Sequence, residues 1–150
     1  MGQQQLLLLV LGIVIVGLAV VVGIQAFGEN QKKANADALV NDAIRIASDA
    51  QAYNLKPTAF GGGGGTFDNI GLEQLGYVVD ENKVYRNLNG QFELDPTGGP
   101  GGVPQITGCS LDPYPATNGT YNQVVVTVAG TSPADITTVV SSPEECSIGG

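Results

Sequence analysis

The side chains that could do chemistry in this sequence are few, and their spacing suits none of the common reactions. There is no histidine, which removes the commonest general acid/base and the commonest neutral metal ligand. The acids of the C-terminal part, Asp80, Glu81, Glu93 and Asp95, sit near expected turns and strand ends, where solvated carboxylates are ordinary. No nucleophile–base pair can be read beside them. A run of glycine over 61–65 is not followed by Gly-Lys-Ser/Thr and has no base near it, so it is not a phosphate loop. It reads instead as a flexible or tightly turning loop. Asn118-Gly119-Thr120 matches an N-glycosylation acceptor at Asn118 but also fits a plain Asn-Gly turn, the preferred reading. Cys109 and Cys146 show no CxxC spacing, and an even, sparse count fits one structural disulfide formed in an oxidising compartment. The expectation is a protein that is not an enzyme, with no catalytic, cofactor or metal site.

Charge narrows the classes further. The 150 residues carry a formal net charge of −8, and beyond Arg86 there are six acids and no base. A chain that meets nucleic acid needs a basic patch for the phosphates, so no nucleic-acid contact is expected. Net negative charge instead keeps an exposed surface soluble and discourages lateral aggregation.

The feature that must position everything else is at the N-terminus. Residues 6–24 read LLLLVLGIVIVGLAVVVGI, with no polar side chain, and no charge occurs before Glu29. As a helix this run spans roughly 28 Å, close to the thickness of a bilayer core. It is apolar all round rather than along one stripe, so lipid or other apolar helices must surround it. A cleaved signal peptide would show a basic n-region, a shorter apolar core and a small-residue cleavage site. None is evident, and the segment is expected to be retained. Lys32 and Lys33, the first bases, follow the run, and the positive-inside rule alone would place the C-terminal part in the cytoplasm. The cysteine pair argues for export, and a basic leader upstream of Met1 would reconcile the two. Gly12, Gly17 and Gly23 interrupt the run at a cost of about 1 kcal/mol each relative to Ala. They offer close helix–helix approach or a local bend, or reflect the ordinary glycine enrichment of membrane helices.

The helix is expected to continue. Residues 29–54 contain neither Pro nor Gly, and Ala36, Leu39, Val40, Ala43, Ile46, Ala47 and Ala50 recur at three- and four-residue spacings. That is a narrow apolar stripe. Lys33/Asp37, Asp42/Arg45 and Arg45/Asp49 are placed for helix-surface ion pairs. Lys56-Pro57 ends the element, since proline disfavours helix in the residue before it. One helix of roughly 75–80 Å results. Residues 68–76 suggest a helical turn stopped by Gly76. Residues 83–94 suggest a hairpin turning at Asn89-Gly90, with Tyr85, Phe92 and Leu94 on one face and Arg86 opposite Glu93 on the other. Residues 96–104 read as loop, and 123–128 and 136–140 as two further strands. The expected fold is α+β: a long helix with a small antiparallel head of three to five strands packed on its C-terminal half. Its divisions are an apolar segment (1–28), an amphipathic continuation (29–56) and a β-rich head (57–150).

A retained apolar helix continuing into an amphipathic one, then a small β-rich head with two late cysteines, resembles the type IV pilin family, which includes the pseudopilins of type II secretion. The resemblance is strongest over residues 1–54. The family carries Glu at the fifth mature position; with Met1 as the mature N-terminus that position is Gln5, which cannot make the charged contact with a neighbour's terminal amine but still accepts a hydrogen bond. The family's helix-breaking proline is absent, and Gly17 and Gly23 stand where local unwinding would occur. The resemblance implies a prepilin peptidase that removes a leader, a membrane-held precursor, assembly machinery, and self-association through bundled helices. The residues expected to pack in that bundle are Gln5, Leu6, Leu9, Gly12, Ile13, Val16, Gly17, Val20, Gly23, Ile24 and Phe27. The function expected is a structural subunit of an extracellular filament with an inner-membrane precursor. A pseudopilin and a single-pass membrane protein with a binding head are the alternatives.

Overall fold

In the computed structural model, residues 2–113 and 119–148 are described; the candidate acceptor Asn118 lies outside them. The first 54 of them are one unbroken helix, α1 (Gly2–Leu55). It runs through Gly12, Gly17, Gly23 and Gly28 without a break, so the local unwinding expected at Gly17 and Gly23 is not present in the single chain. Apolar neighbours and backbone hydrogen bonds along the whole run outweigh the modest propensity cost of isolated glycines.

The head follows as five strands, β1 (Tyr85–Arg86), β2 (Gln91–Gly99), β3 (Val103–Cys109), β4 (Gln123–Val128) and β5 (Ile136–Ser141), in one antiparallel meander whose spatial order is the chain order. The alternation of β4 is plain: Val124, Val126 and Val128 are buried while Gln123, Val125 and Thr127 are only half-buried. The buried set packs with Phe92 and Ile106 onto Leu39, Ala43, Ile46 and Ala47 of α1. Alanine at three of the five buried apolar positions of the helix, Ala43, Ala47 and Ala50, lets the helix axis lie close over the sheet. Leu72, from the segment between helix and sheet, joins the same core.

Two expectations about the strands are corrected. The first hairpin pairs Tyr85 with Phe92 and Arg86 with Gln91, so its connection is the four residues 87–90 rather than Asn89-Gly90 alone. The reason is the Asn87 side chain, whose Oδ1 accepts from the N–H groups of Asn89 (2.9 Å) and Gly90 (3.0 Å) and closes a longer turn. The shift is by two positions, so Tyr85, Phe92 and Leu94 still share the core face. Arg86 no longer faces Glu93 and pairs with Asp80 at 3.3 Å. Residues 96–104 are not all loop: β2 runs to Gly99, β3 starts at Val103, and the register shifts between Asp95 and Gly99. Pro104 sits at that irregularity, just before pairing to β4 begins at Gln105, a place where its missing N–H is harmless.

The glycine run has a definite task. At the end of α1 the last carbonyls have no helical partner. The Gly63 N–H donates to the Tyr53 carbonyl (2.8 Å), Gly64 to Lys56 (2.9 Å) and Gly65 to Asn54 (2.8 Å). The run folds back over the helix end and caps it. Its tightness excludes side chains: a Cβ on Gly63 would lie 1.9 Å from the Thr66 carbonyl oxygen, and one on Gly62 2.2 Å from that of Lys56. Residues 71–77 form the expected helical turn, closed by Leu75 N–H to Gly71 and Tyr77 N–H to Leu72, with Gly76 at φ +90° ending it. Cys109 and Cys146 form the expected disulfide, which ties the C-terminal tail to the end of β3 across a sequence separation of 37.

Gly63→Ala should lower the unfolding free energy of the full chain in detergent by about 1–3 kcal/mol, the cost of forcing a methyl into a closed space; an unchanged denaturation midpoint would show that the run is not the cap. Reduction of Cys109–Cys146 should cost about 3–4 kcal/mol by the loop-entropy model, seen as a lower midpoint in reductant than in oxidising buffer.

Candidate assembly surface

Two halves of one helix have opposite environments. From residue 32 onward α1 is held by the head, and before Gly28 every described residue is exposed. The large apolar side chains of residues 6–27 are 50–68% exposed, and none of those residues is buried by the rest of the chain. By length and composition the α1 helix is long and apolar enough to cross a membrane, and among the described residues nothing covers that part. The packing residues expected from sequence, Gln5, Leu6, Leu9, Gly12, Ile13, Val16, Gly17, Val20, Gly23, Ile24 and Phe27, all lie on this bare rod. Their three- and four-residue spacing brings them to one side of it. The opposite side, with Leu7, Val10, Val14, Leu18 and Val21, is just as apolar and just as exposed. Apolarity alone thus selects no face.

The glycines do distinguish faces. Gly12 and Gly23 are eleven residues apart, close to three helical turns, and so are Gly17 and Gly28. They mark two lines of notches, about 140° apart around the helix. A Cβ at Gly12, Gly17 or Gly23 would meet nothing within 4 Å in the chain itself. No contact inside the chain requires their small size.

At the boundary between rod and head, an amide network holds α1 in place. Buried Asn122 donates from Nδ2 to the Lys32 carbonyl (2.8 Å) and to Asn35 Oδ1 (3.1 Å). Asn35 donates to the Asn89 carbonyl (2.8 Å), and Asn87 and Asn89 both donate to Asp42 Oδ2 (2.8 Å each). Lys32 Nζ reaches Thr120 Oγ1 at 2.8 Å. Towards the far end of the helix, Gln51 Nε2 donates to the carbonyls of Gly130 (2.8 Å) and Ser132 (2.9 Å), and the Tyr77 hydroxyl donates to Asp49. Burial, and next that hydrogen bond, push the Tyr77 phenol above its ordinary range, so it stays a neutral donor. Among the described residues the pairs expected along the helix, Lys33/Asp37, Asp42/Arg45 and Arg45/Asp49, do not form; Asp42 and Asp49 accept these hydrogen bonds instead, and Arg86 pairs with Asp80. A half-buried carboxylate facing two fixed amide donors gains more than one facing a mobile cation in water. No buried polar side-chain atom among the described residues lacks a partner.

The network was not foreseen, although Asn35 and Asp42 stand seven residues apart on one flank of the apolar stripe. That spacing marks a polar line beside the core, but the partners, Asn122 for Asn35 and Asn87 and Asn89 for Asp42, come from distant segments. Among the described residues no group of three or more acids or cysteines is placed to hold a metal ion. No family model, curated protein or solved structure matches the chain.

Asn122→Ala should leave Asn35 and the foot of the head underpacked and cost about 1–3 kcal/mol. Amide exchange at the foot of the head should rise, while the core strand β4 keeps its relative protection. Uniform loss across the sheet would show instead that Asn122 acts through the core.

Proposed function

We propose that this chain is the structural subunit of an extracellular type IV pilus-like filament, assembled by bundling the apolar halves of α1, with a precursor held in the membrane by the same segment. The observation that carries this reading is a rod apolar on every side, continuous with the helix that carries the head, and uncovered by its own chain. Gly12, Gly17 and Gly23 support it, because they permit close approach of neighbouring helices and no contact within the chain requires their small size. So does the disulfide, which fits an oxidising location for the head.

The energetics follow from the solvent on each side of assembly. In the bilayer the rod is surrounded by tails as apolar as Leu, so exchanging lipid for neighbouring helices yields little hydrophobic free energy. Packing at the glycine lines must favour the bundle, and machinery must supply the work of extraction. Once outside, the alternative to the bundle is water. Each large apolar side chain then contributes roughly 1.5–3 kcal/mol gross, and loss of a subunit becomes rare. Gln5, at the start of the rod, contributes an amide able to accept a hydrogen bond from a neighbour.

Val14→Asp places a charge on the bare rod and should abolish filaments. Material sheared from cells making the full chain, labelled with antibody against the head, should show thin labelled filaments for the natural sequence and none for the variant. Protein confined to the membrane fraction, with no sheared filaments from the natural sequence, would overturn the reading in favour of a pseudopilin or a single-pass membrane protein.

A further inference from the structure

The two edges of the sheet are finished differently. On the β1 side the strand is two residues long, and Val79 bridges to Tyr85 outside it. The Asp80 carboxylate there accepts from the N–H groups of Val84 and Asn82 (3.0 Å each) and pairs with Arg86. That edge is short, charged and pinned. The β5 side has none of these devices. Its six residues, Ile136–Ser141, contain no charge and no proline, and Val139 and Val140 are more than half exposed. No strand lies beyond β5 among the described residues. Natural sheets blunt an edge of this kind unless it is used.

The direction of the free backbone groups can be worked out. The Ala129 N–H donates to the Asp135 carbonyl (2.9 Å), in the same register that pairs Val128 with Ile136. Antiparallel pairs alternate between bonded and non-bonded. Thr137, Val139 and Ser141 therefore spend their backbone groups on β4, while the N–H and C=O groups of Thr138 and Val140 point away from the sheet.

We propose that the open β5 edge of one head packs against the β1-side border of the next copy in the filament, where Val78, Lys83 and Leu88 are exposed. The inference rests on the filament reading above. Three observations choose this occupant. Val78 is 88% and Leu88 99% exposed, so the opposite border carries apolar side chains to meet Val139 and Val140. Lys83 and Arg86 offset Asp80 and Glu81 on that border, so it carries no net charge to repel the exposed acids Glu144 and Glu145 that follow β5. Pairing β5 with β5 about a two-fold axis would instead bring Asp135 of each copy towards Glu144 and Glu145 of the other. A contact between two different surfaces also propagates, as a filament requires, where a two-fold pair would close. A six-residue strand is about 20 Å long, and one such contact buries far less than the roughly 1,200 Å² typical of a stable complex. The heads pair only because the bundled helices hold them at high effective concentration.

The test uses filaments of the full chain carrying Val78→Cys and Val139→Cys together, each single variant serving as control. A short bis-maleimide is added to sheared filaments, followed by denaturing electrophoresis. The double variant should give a ladder of covalent dimers, trimers and higher species, and neither single variant should. Filaments without a ladder overturn the inference and leave the filament reading standing. Dimers from Val139→Cys alone overturn it in favour of β5–β5 pairing. If the natural sequence makes no filaments, both fall. In the double-cysteine background, Thr138→Pro removes an outward N–H without removing a bond to β4, and should cut ladder yield about tenfold. Val140→Lys, which adds a charge to the same edge without touching the backbone, should do likewise. A ladder undiminished in both variants would overturn the part assigned to the strand edge.

Discussion

Leu39, Ala43, Ile46 and Ala47 pack one stripe of α1, which buried Ala50 continues, against Val124, Val126, Val128, Ile106 and Phe92, and the rest of the molecule is arranged around that contact. The stripe is narrow because three of its five members are alanine. It therefore accepts a sheet only on one side and only along the second half of the helix. Everything before Gly28 projects beyond the head, because no strand reaches it. The bare rod is thus a consequence of where the amphipathic pattern begins. A single unbroken helix then makes the head and the rod one mechanical object.

Apolar packing of alanine against valine has little directional character, and alone it would let the sheet slide or rotate on the helix. The polar contacts remove that freedom. Asn122, Asn35 and Asp42 fix one flank near the foot of the head, and Gln51 fixes the other flank near the far end of the helix, against the loop before β5. Each bond contributes only about 0.5–1.5 kcal/mol to stability, somewhat more at the Asp42 carboxylate, but each has a fixed geometry. The glycine cap completes the arrangement by satisfying the Tyr53, Asn54 and Lys56 carbonyls, so the helix ends at a defined place. The orientation of the head relative to the rod is set by amides, and its affinity by apolar surface.

The helix was legible in the sequence because its signals are local and redundant: an uninterrupted apolar run, then a three-and-four stripe, then Lys56-Pro57. Strands β4 and β5 were legible from their valine and threonine content, and the disulfide from cysteine count. Strand β3 was not. Val103–Cys109 contains Pro104 and Gly108, which both argue against a central strand. Proline is tolerated because it falls at the register shift opposite β2, and glycine because the Phe92 ring lies over it, 2.7 Å from where a Cβ would stand. Both reasons belong to partner strands, which no local pattern contains. The hairpin register failed for a related cause: Asn89-Gly90 signals a tight turn, but the Asn87 side chain two residues earlier closes a longer one. The face assignment survived because the register shift was even.

A rod apolar on all sides also lacks a register of its own. Translating one such helix along another exchanges leucine for valine contacts at nearly equal free energy, so apolar burial supplies cohesion without a unique arrangement. Specific position must come from features that repeat less often than every turn. On the rod these are the two glycine lines, whose members stand about three turns apart, where closest approach is possible. On the head they are the sheet edges, which differ in length, charge and free backbone groups. In a bundle of such chains a charge of −8 each would oppose crowding of heads, most strongly at low salt, and would favour contact at surfaces without net negative charge. The uncharged β5 strand is such a surface, and no strand among the described residues pairs with its outward backbone groups.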